Sequence, residues 1–584
     1  MEWMSSRVFL PLMLMLLAAS FCDGISSRIL KNRRVAVLEE KLAVLRRYEG
    51  LAIGACMLLG AFARCYRFVE LPMGINQDGL MAGTEALCLM RNGTDQFGTS
   101  WPTYFEAWGF SQMSTLYSYL LIPFFAILGV SKFTLRLPML LVSMAALPLI
   151  WDLARRVAGR GYALAALFLV ATNPWHMIQS RWALEANLMP HVMLLGVYLL
   201  VIGLEKRKRW ALYLSMVVFG LAPYAYGVAC FSVSAFLAGG AIFCFARKKV
   251  GLSDLVVCMA LFIAVAGPYF YTMAINAFGW ETVHLGPFTL PQFEQSKRTN
   301  DLIFSKDNPY YTMLNNVFEH LSTWVYVGRE AAYSCIPWAF TLYPWMPPVV
   351  LAGIYLMWKN RRNLARLSVD CPQREGAMLL MLWLAAALFN GAMIGGVVNR
   401  NNIVFYPLIL MGGYALVEMG KRMRVCLAAT VVMVLIGFAG LNVTYFTDRD
   451  YQNEVGDIFS NGQYEALRNT WNMAYDRYYV NTAEADAHRR FMQASLMFAH
   501  EIDYQTRAGH KETVDALGRP TGQTFDERYV FMDLAKMKPD PSERAVYVFP
   551  VGYTSMFDPT EFVVEKYRSF AAAYPRRYVP QEEE

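Results

Sequence analysis

The run from Asn187 to Leu204 reads NLMPHVMLLGVYLLVIGL and is followed at once by Glu205-Lys-Arg-Lys-Arg209. An apolar run of this length approaches the ~20 residues a helix needs to cross a hydrocarbon core of ~30 Å. A knot of Lys and Arg at its end marks the side retained in the cytoplasm. The same unit recurs on either side. Apolar runs fall at roughly 49–67, 137–152, 161–178, 187–204, 210–226, 228–246, 252–275, 333–357, 377–396, 402–419 and 424–444. The expected fold is mainly α: a polytopic membrane bundle of about eleven spans.

Composition agrees with that class. Of 584 residues 56% are hydrophobic and only 17% charged, which excludes an ordinary soluble protein of this size. After Asp448 the sequence turns mixed and polar, so 49–445 reads as the membrane domain and 446–584 as a small extracytoplasmic α/β domain. In the latter, 460–472 has helical spacing, and 477–480, 528–531 and 545–549 are short β-rich runs. The net charge of +7 sits in short loops between apolar runs, a topology signal and not a nucleic-acid footprint. The ten cysteines are scattered singly, with none after residue 448, which suits an exported bacterial segment and excludes a disulfide scaffold.

Six basic stretches set the orientation: 41–47, 155–160, 205–209, 247–249, 359–366 and 421–424. With all six in the cytoplasm, the alternation closes, residues 1–48 lie inside and the C-terminal domain lies outside. Two apolar runs stand apart from it. Residues 116–130 are read as an amphipathic or re-entrant helix at the outer interface, and 8–20 as a signal-like or interfacial segment that does not cross. The outward loops are then long, notably 68–136 and 276–332, and the inward ones short. Any chemistry lies outside.

Ionisable groups gather at the outer ends of spans. In Leu71-Pro-Met-Gly-Ile-Asn-Gln-Asp-Gly79, Asp78 is either a general base at the membrane surface or the N-cap of a helix starting near Gly79, and the roles are compatible. Arg181 and Glu185, in Ser180-Arg-Trp-Ala-Leu-Glu-Ala-Asn187, fit either a helix-surface ion pair or a ligand site. Arg400, in Val398-Asn-Arg-Asn-Asn402, suits a phosphate or an interfacial anchor. His284 and Arg298, in the long outer loop, are either substrate contacts or plain surface residues.

Taken together, these stretches resemble the GT-C glycosyltransferases, in particular the relatives of protein O-mannosyltransferases and lipid A aminoarabinose transferases (glycosyltransferase family 39). The resemblance runs from about 58 to 205 and returns at 395–420. It includes Leu71-Pro-Met-Gly with Asp78, Asp95-Gln-Phe-Gly98 leading to Trp101-Pro102, Phe125-Ala-Ile-Leu-Gly129, Leu135-Arg-Leu-Pro138, Asn173-Pro-Trp-His176, Ser180 to Asn187, and Asn399-Arg-Asn-Asn402. It implies a sugar donor on a polyprenyl phosphate, an acceptor in the cell envelope, and inversion at the anomeric carbon with Asp78 as base. The implied location is a bacterial plasma membrane. Two departures are clear. Asp78 has no adjoining acid, Glu85 lying two turns on, and 109–116 lacks the Lys-Pro-Pro of some relatives. The donor phosphate then needs other cations, for which Arg181 and Arg400 are expected, with Glu85, Glu185 and Asn187 as further substrate contacts. No cofactor is expected to be required. Asp78 and Glu185 could meet a divalent ion, but hard cations gather more oxygen ligands than these. The alternative is a lipid-linked sugar flippase or a protein that only binds such lipids.

Overall fold

A computed structural model describes residues 5–108, 111–293, 303, 306–325, 332–364, 376–395, 397–482, 486–505, 511–514, 520–525 and 528–578. Every one of the eleven apolar runs contains a helix. Among the described residues, seven helices are long and apolar enough to cross a membrane, or eight if the bent pair 7–21 and 23–30 is one span. They include Lys132–Ala158, Glu185–Lys206 and Arg424–Thr447. Glu49–Cys65 and Arg209–Ala225 have 17 residues each, and Arg160–Thr172 has 13. The expected span 333–357 is helical only from Pro347. We label five helices: α1 (Glu49–Cys65), α2 (Gln77–Asn92), α3 (Glu185–Lys206), α4 (Arg424–Thr447) and α5 (Asp486–Ala499).

The basic loops collect at one end of the bundle. Arg156 bridges Asp152 and Glu205, both at 2.7 Å, and Arg209 reaches Asp254 at 3.0 Å. Arg422 and Arg424 meet Asp23 and Glu39 at 2.9 and 3.6 Å. The C-terminal domain sits at the opposite end, where Lys132 meets Glu465 at 3.4 Å and Trp182 packs on Phe459 with ring centroids 5.2 Å apart. The apolar helix Leu116–Leu128 belongs to that second end, since Phe125 lies 6.1 Å from the ring of Phe498. Residues 23–48 stay with the basic loops. The segment before them does not. Met13 is fully buried near Thr430, and Phe9 packs edge-on against Trp345, itself beside Gly437, about 20 Å along α4 from Arg424. The cause is its apolarity: residues 9–21 fill a groove in the bundle instead of lying on its surface.

Two small hairpins lie in the loops at the end that bears the C-terminal domain, β1 (Phe105–Ala107) with β2 (Ser111–Met113) and β3 (Val283–Leu285) with β4 (Phe288–Leu290). The C-terminal sheet contains β5 (Arg477–Asn481), β6 (Lys511–Val514), β7 (Pro520–Phe525), β8 (Tyr529–Met532), β9 (Ala545–Pro550), β10 (Phe562–Tyr567) and β11 (Phe570–Pro575). Their order is β10-β11-β9-β5-β8-β7-β6, with β5 parallel to both neighbours. Alternation along the strands gives the sheet two apolar faces. Tyr479, Tyr547 and Phe549 build a separate small core, while Tyr478, Val480 and Val548 join the core shared with the membrane domain. The domain is therefore an integral part of that end of the bundle.

Candidate functional site

The chain reaches Asp78 along a path fixed by two buried arginines. Arg181 is fully buried, and its Nη1 donates to the carbonyls of Ala63 and Arg64 at 2.9 Å. Its Nη2 donates to Tyr66 and Leu71 at 2.7 and 3.3 Å. The guanidinium also lies 5.1 Å from the rings of Tyr445 and Phe446. The last carbonyls of α1 have no partner within the helix, and a cation at a helix C-terminus suits the dipole. Arg136, 1% exposed, does the same for Val69, Pro72 and Gly74 at 3.2, 2.9 and 2.6 Å. Gly74 has φ +74°, and a Cβ there would collide with the carbonyl of Phe459. That carbonyl accepts from Ile75 N at 2.9 Å. The approach thus has one conformation.

Asp78 is the second residue of α2, and the N-cap is Asn76. The carboxylate is exposed, so the capping alternative does not hold and the group faces outward. Trp108, just after β1, donates from Nε1 to Asp78 Oδ1 at 3.3 Å. The Trp108 ring meets Phe491 of α5 at 6.3 Å. Next to it, Arg490 pairs with Glu106 of β1 at 3.4 Å. Glu106, Trp108 and Arg490 are the residues that sequence reading missed. An acid and an indole in an outer loop were a usable signal. Nothing in the sequence tied Arg490, more than 400 positions on, to Asp78.

The other expected contacts separate into braces and lining. Glu85 is fully buried, and its Oε2 accepts from Gln96 N at 2.9 Å. Glu185, 5% exposed, accepts from Ser114 N at 2.6 Å. Asn187, 1% exposed, accepts from Asn402 Nδ2 at 3.0 Å. With Arg181 they hold loops to helix ends, because a buried polar group must be satisfied. His284 is exposed on β3, with Nδ1 3.1 Å from Thr289 Oγ1. Arg298 lies outside the described residues. Among the described residues, no three His, Cys, Asp or Glu side chains gather as metal ligands would.

Arg400 is half-buried and lines a small cavity with Ala186, Tyr226, Ser232, Asn390 and Asn399. Both the cavity and α2 adjoin the start of α3. A Cβ on Gly79 would lie 2.7 Å from the carbonyl of Ala183, so the start of α2 rests on the turn before α3. Three residues later, Ala186 lines the cavity. On the other side Ser114 takes Gly227 N at 3.0 Å, next to Tyr226. Asp78 and Arg400 therefore flank the start of α3.

Residues 113–271 match the family described as dolichyl-phosphate-mannose-protein mannosyltransferase. That segment holds Arg181, Glu185 and Asn187 and excludes Asp78 and Arg400. Among solved structures, the chain is similar to ArnT from Cupriavidus metallidurans bound to undecaprenyl phosphate. The identity is 11% and the TM-score 0.49, over 91% of this chain and 99% of that one. It is also similar to the oligosaccharyltransferase AglB of Archaeoglobus fulgidus, solved with an inhibitory peptide and a dolichol-phosphate. There the identity is 13% and the TM-score 0.46, over 79% of this chain and 64% of that one. A third is the arabinofuranosyltransferase AftD from Mycobacteria, at 14% identity and TM-score 0.35, over 75% and 30% of the two chains. No curated protein matches. One segment of this multi-pass membrane protein, residues 113–271, thus matches a glycosyltransferase family model.

Proposed function

We propose that the protein transfers a sugar from a polyprenyl-phosphate donor to an acceptor hydroxyl, with inversion, at the membrane face that bears the C-terminal domain. The carrying observation is the placement of an exposed helix-N-terminal carboxylate, Asp78, and a cavity-lining cation, Arg400, on either side of one helix start. The acceptor oxygen attacks the anomeric carbon as the bond from that carbon to the phosphate oxygen breaks. Asp78 takes the acceptor proton, and the lipid phosphate leaves with the bonding pair. Arg400 offsets its charge, where preorganised electrostatics act most strongly. Trp108 orients the carboxylate through its indole N–H. The scheme uses no metal, so turnover is expected to survive chelation, and its loss on chelation would overturn that part of the scheme. With the basic loops in the cytoplasm, this face is extracytoplasmic.

The test is release of polyprenyl phosphate from radiolabelled lipid-linked sugars by membranes bearing wild type or Asp78→Asn. Loss of ~10²–10⁴-fold in the variant, at equal expression, supports the base. Equal release by both removes Asp78 from the chemistry. Bound donor that the wild type moves across the bilayer without cleavage would make the protein a flippase.

A further inference from the structure

The chain makes a right-angled elbow at the end of the bundle that collects the basic loops. The helix of residues 7–21 turns at Cys22 by 89° into Asp23–Leu30. A helix bent so far from one that lies among the spans runs along the membrane surface, not through it. Arg422 holds the turn, pairing with Asp23 at 2.9 Å and lying 5.6 Å from the ring of Phe21. Asn32 then opens the helix Arg33–Val44, its Oδ1 accepting from Arg34 N at 3.0 Å.

The two faces of Arg33–Val44 differ in charge. Its docked face carries Glu39, whose Oε1 accepts from Val425 N at 2.8 Å and whose Oε2 lies 3.6 Å from Arg424. Its free face, an arc of ~140° at ~3.6 residues per turn, runs through Arg33, Val44, Val37, Lys41, Arg34 and Leu38. All six are exposed, three of them are cations and none is an acid. Glu40 stands at the edge of the arc, beside Arg33. Arg28 and Lys31 carry the basic surface back into the elbow, and with the other three cations they enter no ion pair among the described residues.

Aromatic side chains mark the level of that surface. Trp210 and Trp358 stand exposed at the same end of the bundle, next to Arg209 and Lys359, and Tyr48, just beyond the helix, is exposed as well. Exposed Trp and Tyr gather where acyl chains meet headgroups. We propose that the free face of Arg33–Val44, with the elbow before it, is a docking surface for anionic phospholipid headgroups. Val37, Leu38 and Val44 enter the acyl boundary, and Arg33, Arg34 and Lys41 meet phosphates. Interleaved on one arc, the two kinds of side chain need a partner that is apolar below and anionic above, which is what a charged bilayer surface offers.

The experiment follows hydrogen exchange at residues 23–44 of the full-length protein in nanodiscs of phosphatidylcholine, alone or in an equal mixture with phosphatidylglycerol. Exchange is expected to slow by about fivefold or more in the mixture, the worth of at least one such cation. The difference should shrink at high salt, which screens exposed charges. Arg33→Gln, Arg34→Gln and Lys41→Gln together should abolish the slowing and leave thermal unfolding unchanged, because all three side chains are exposed. Val37→Ser with Val44→Ser keeps every charge, and so the orientation of the chain, and should lose most of the slowing too. Equal exchange in the two lipids overturns the proposal. Slowing by inorganic phosphate in phosphatidylcholine alone also overturns it, since the cations would then serve a soluble anion. So does full slowing in the doubly serine-substituted variant, which would make the face purely ionic.

Discussion

The hydroxyl of Thr84 donates to the backbone carbonyl of Ala494 at 3.0 Å, and both residues are buried. This bond joins α2, which carries Asp78 at its start, to α5 of the C-terminal domain, 410 positions away. Around it a Cβ on Gly83 would lie 2.7 Å from the ring of Phe498, and Arg91 pairs with Glu501 at 3.0 Å. The C-terminal domain therefore forms one side of the seat of the candidate base.

Phe498→Ala tests that seat. Phe498 is fully buried and packs on Phe125 and Tyr464. Its truncation should cost ~3–5 kcal/mol in this core. Limited proteolysis should release the C-terminal domain earlier, and turnover should fall although Phe498 is far from any reacting atom. An unchanged rate with a loosened domain would show that α5 does not position α2.

Trp108→Phe removes the one indole N–H that reaches Asp78 and keeps the ring against Phe491. The expected result is a severalfold fall in kcat at nearly constant donor KM, since orientation of the base matters in the transition state. Asp78→Asn combined with Trp108→Phe should be no slower than Asp78→Asn alone. A multiplicative loss would mean that Trp108 acts on substrate.

Sequence and structure part company in an instructive way at the arginines. The apolar runs were legible because run length is a local property, and 187–204 yields α3 within a few residues at either end. The short strands near 477, 529 and 545 emerge for the same reason. Arg181 was not legible: an arginine at an outer turn looks alike whether it meets a phosphate or four carbonyls, and only the path of 63–71 decides. The pairing of Trp108 with Asp78, and of α5 with α2, is likewise a tertiary fact with no periodic trace. The segment before Phe21 went astray because a short apolar run says nothing of the groove that receives it.

Arg181→Lys should then act on stability and leave donor use alone. A lysine cannot span the four carbonyls that the guanidinium fork holds, and leaving several of them buried and unpaired costs ~3 kcal/mol or more. The folded fraction should saturate with donor as wild type does. Arg400→Ala should instead raise the donor KM in the fraction that folds, because Arg400 lines a cavity beside the start of α3. Exchange of these two phenotypes would reverse the assignment.

His500 gives the C-terminal domain a pH dependence with a definite sign. Burial lowers its pKa from 6.5 to about 4, a hydrogen bond to the Leu467 carbonyl opposes this, and Arg528 and Arg468 add to the lowering. Its Nε2 lies 2.9 Å from that carbonyl, and its ring packs edge-on against Tyr478 and Tyr529. Between pH 6.5 and 4 the unfolded chain binds a proton that the folded domain refuses, so stability falls as pH falls. The contribution is complete above about 6.5 and is lost through about 4, for a total of ~3 kcal/mol. Unfolding followed by proteolysis of the C-terminal domain should steepen across that window, and His500→Gln should flatten it. A wild-type midpoint that does not move between pH 7 and pH 4.5 would mean that His500 reaches water in the folded protein.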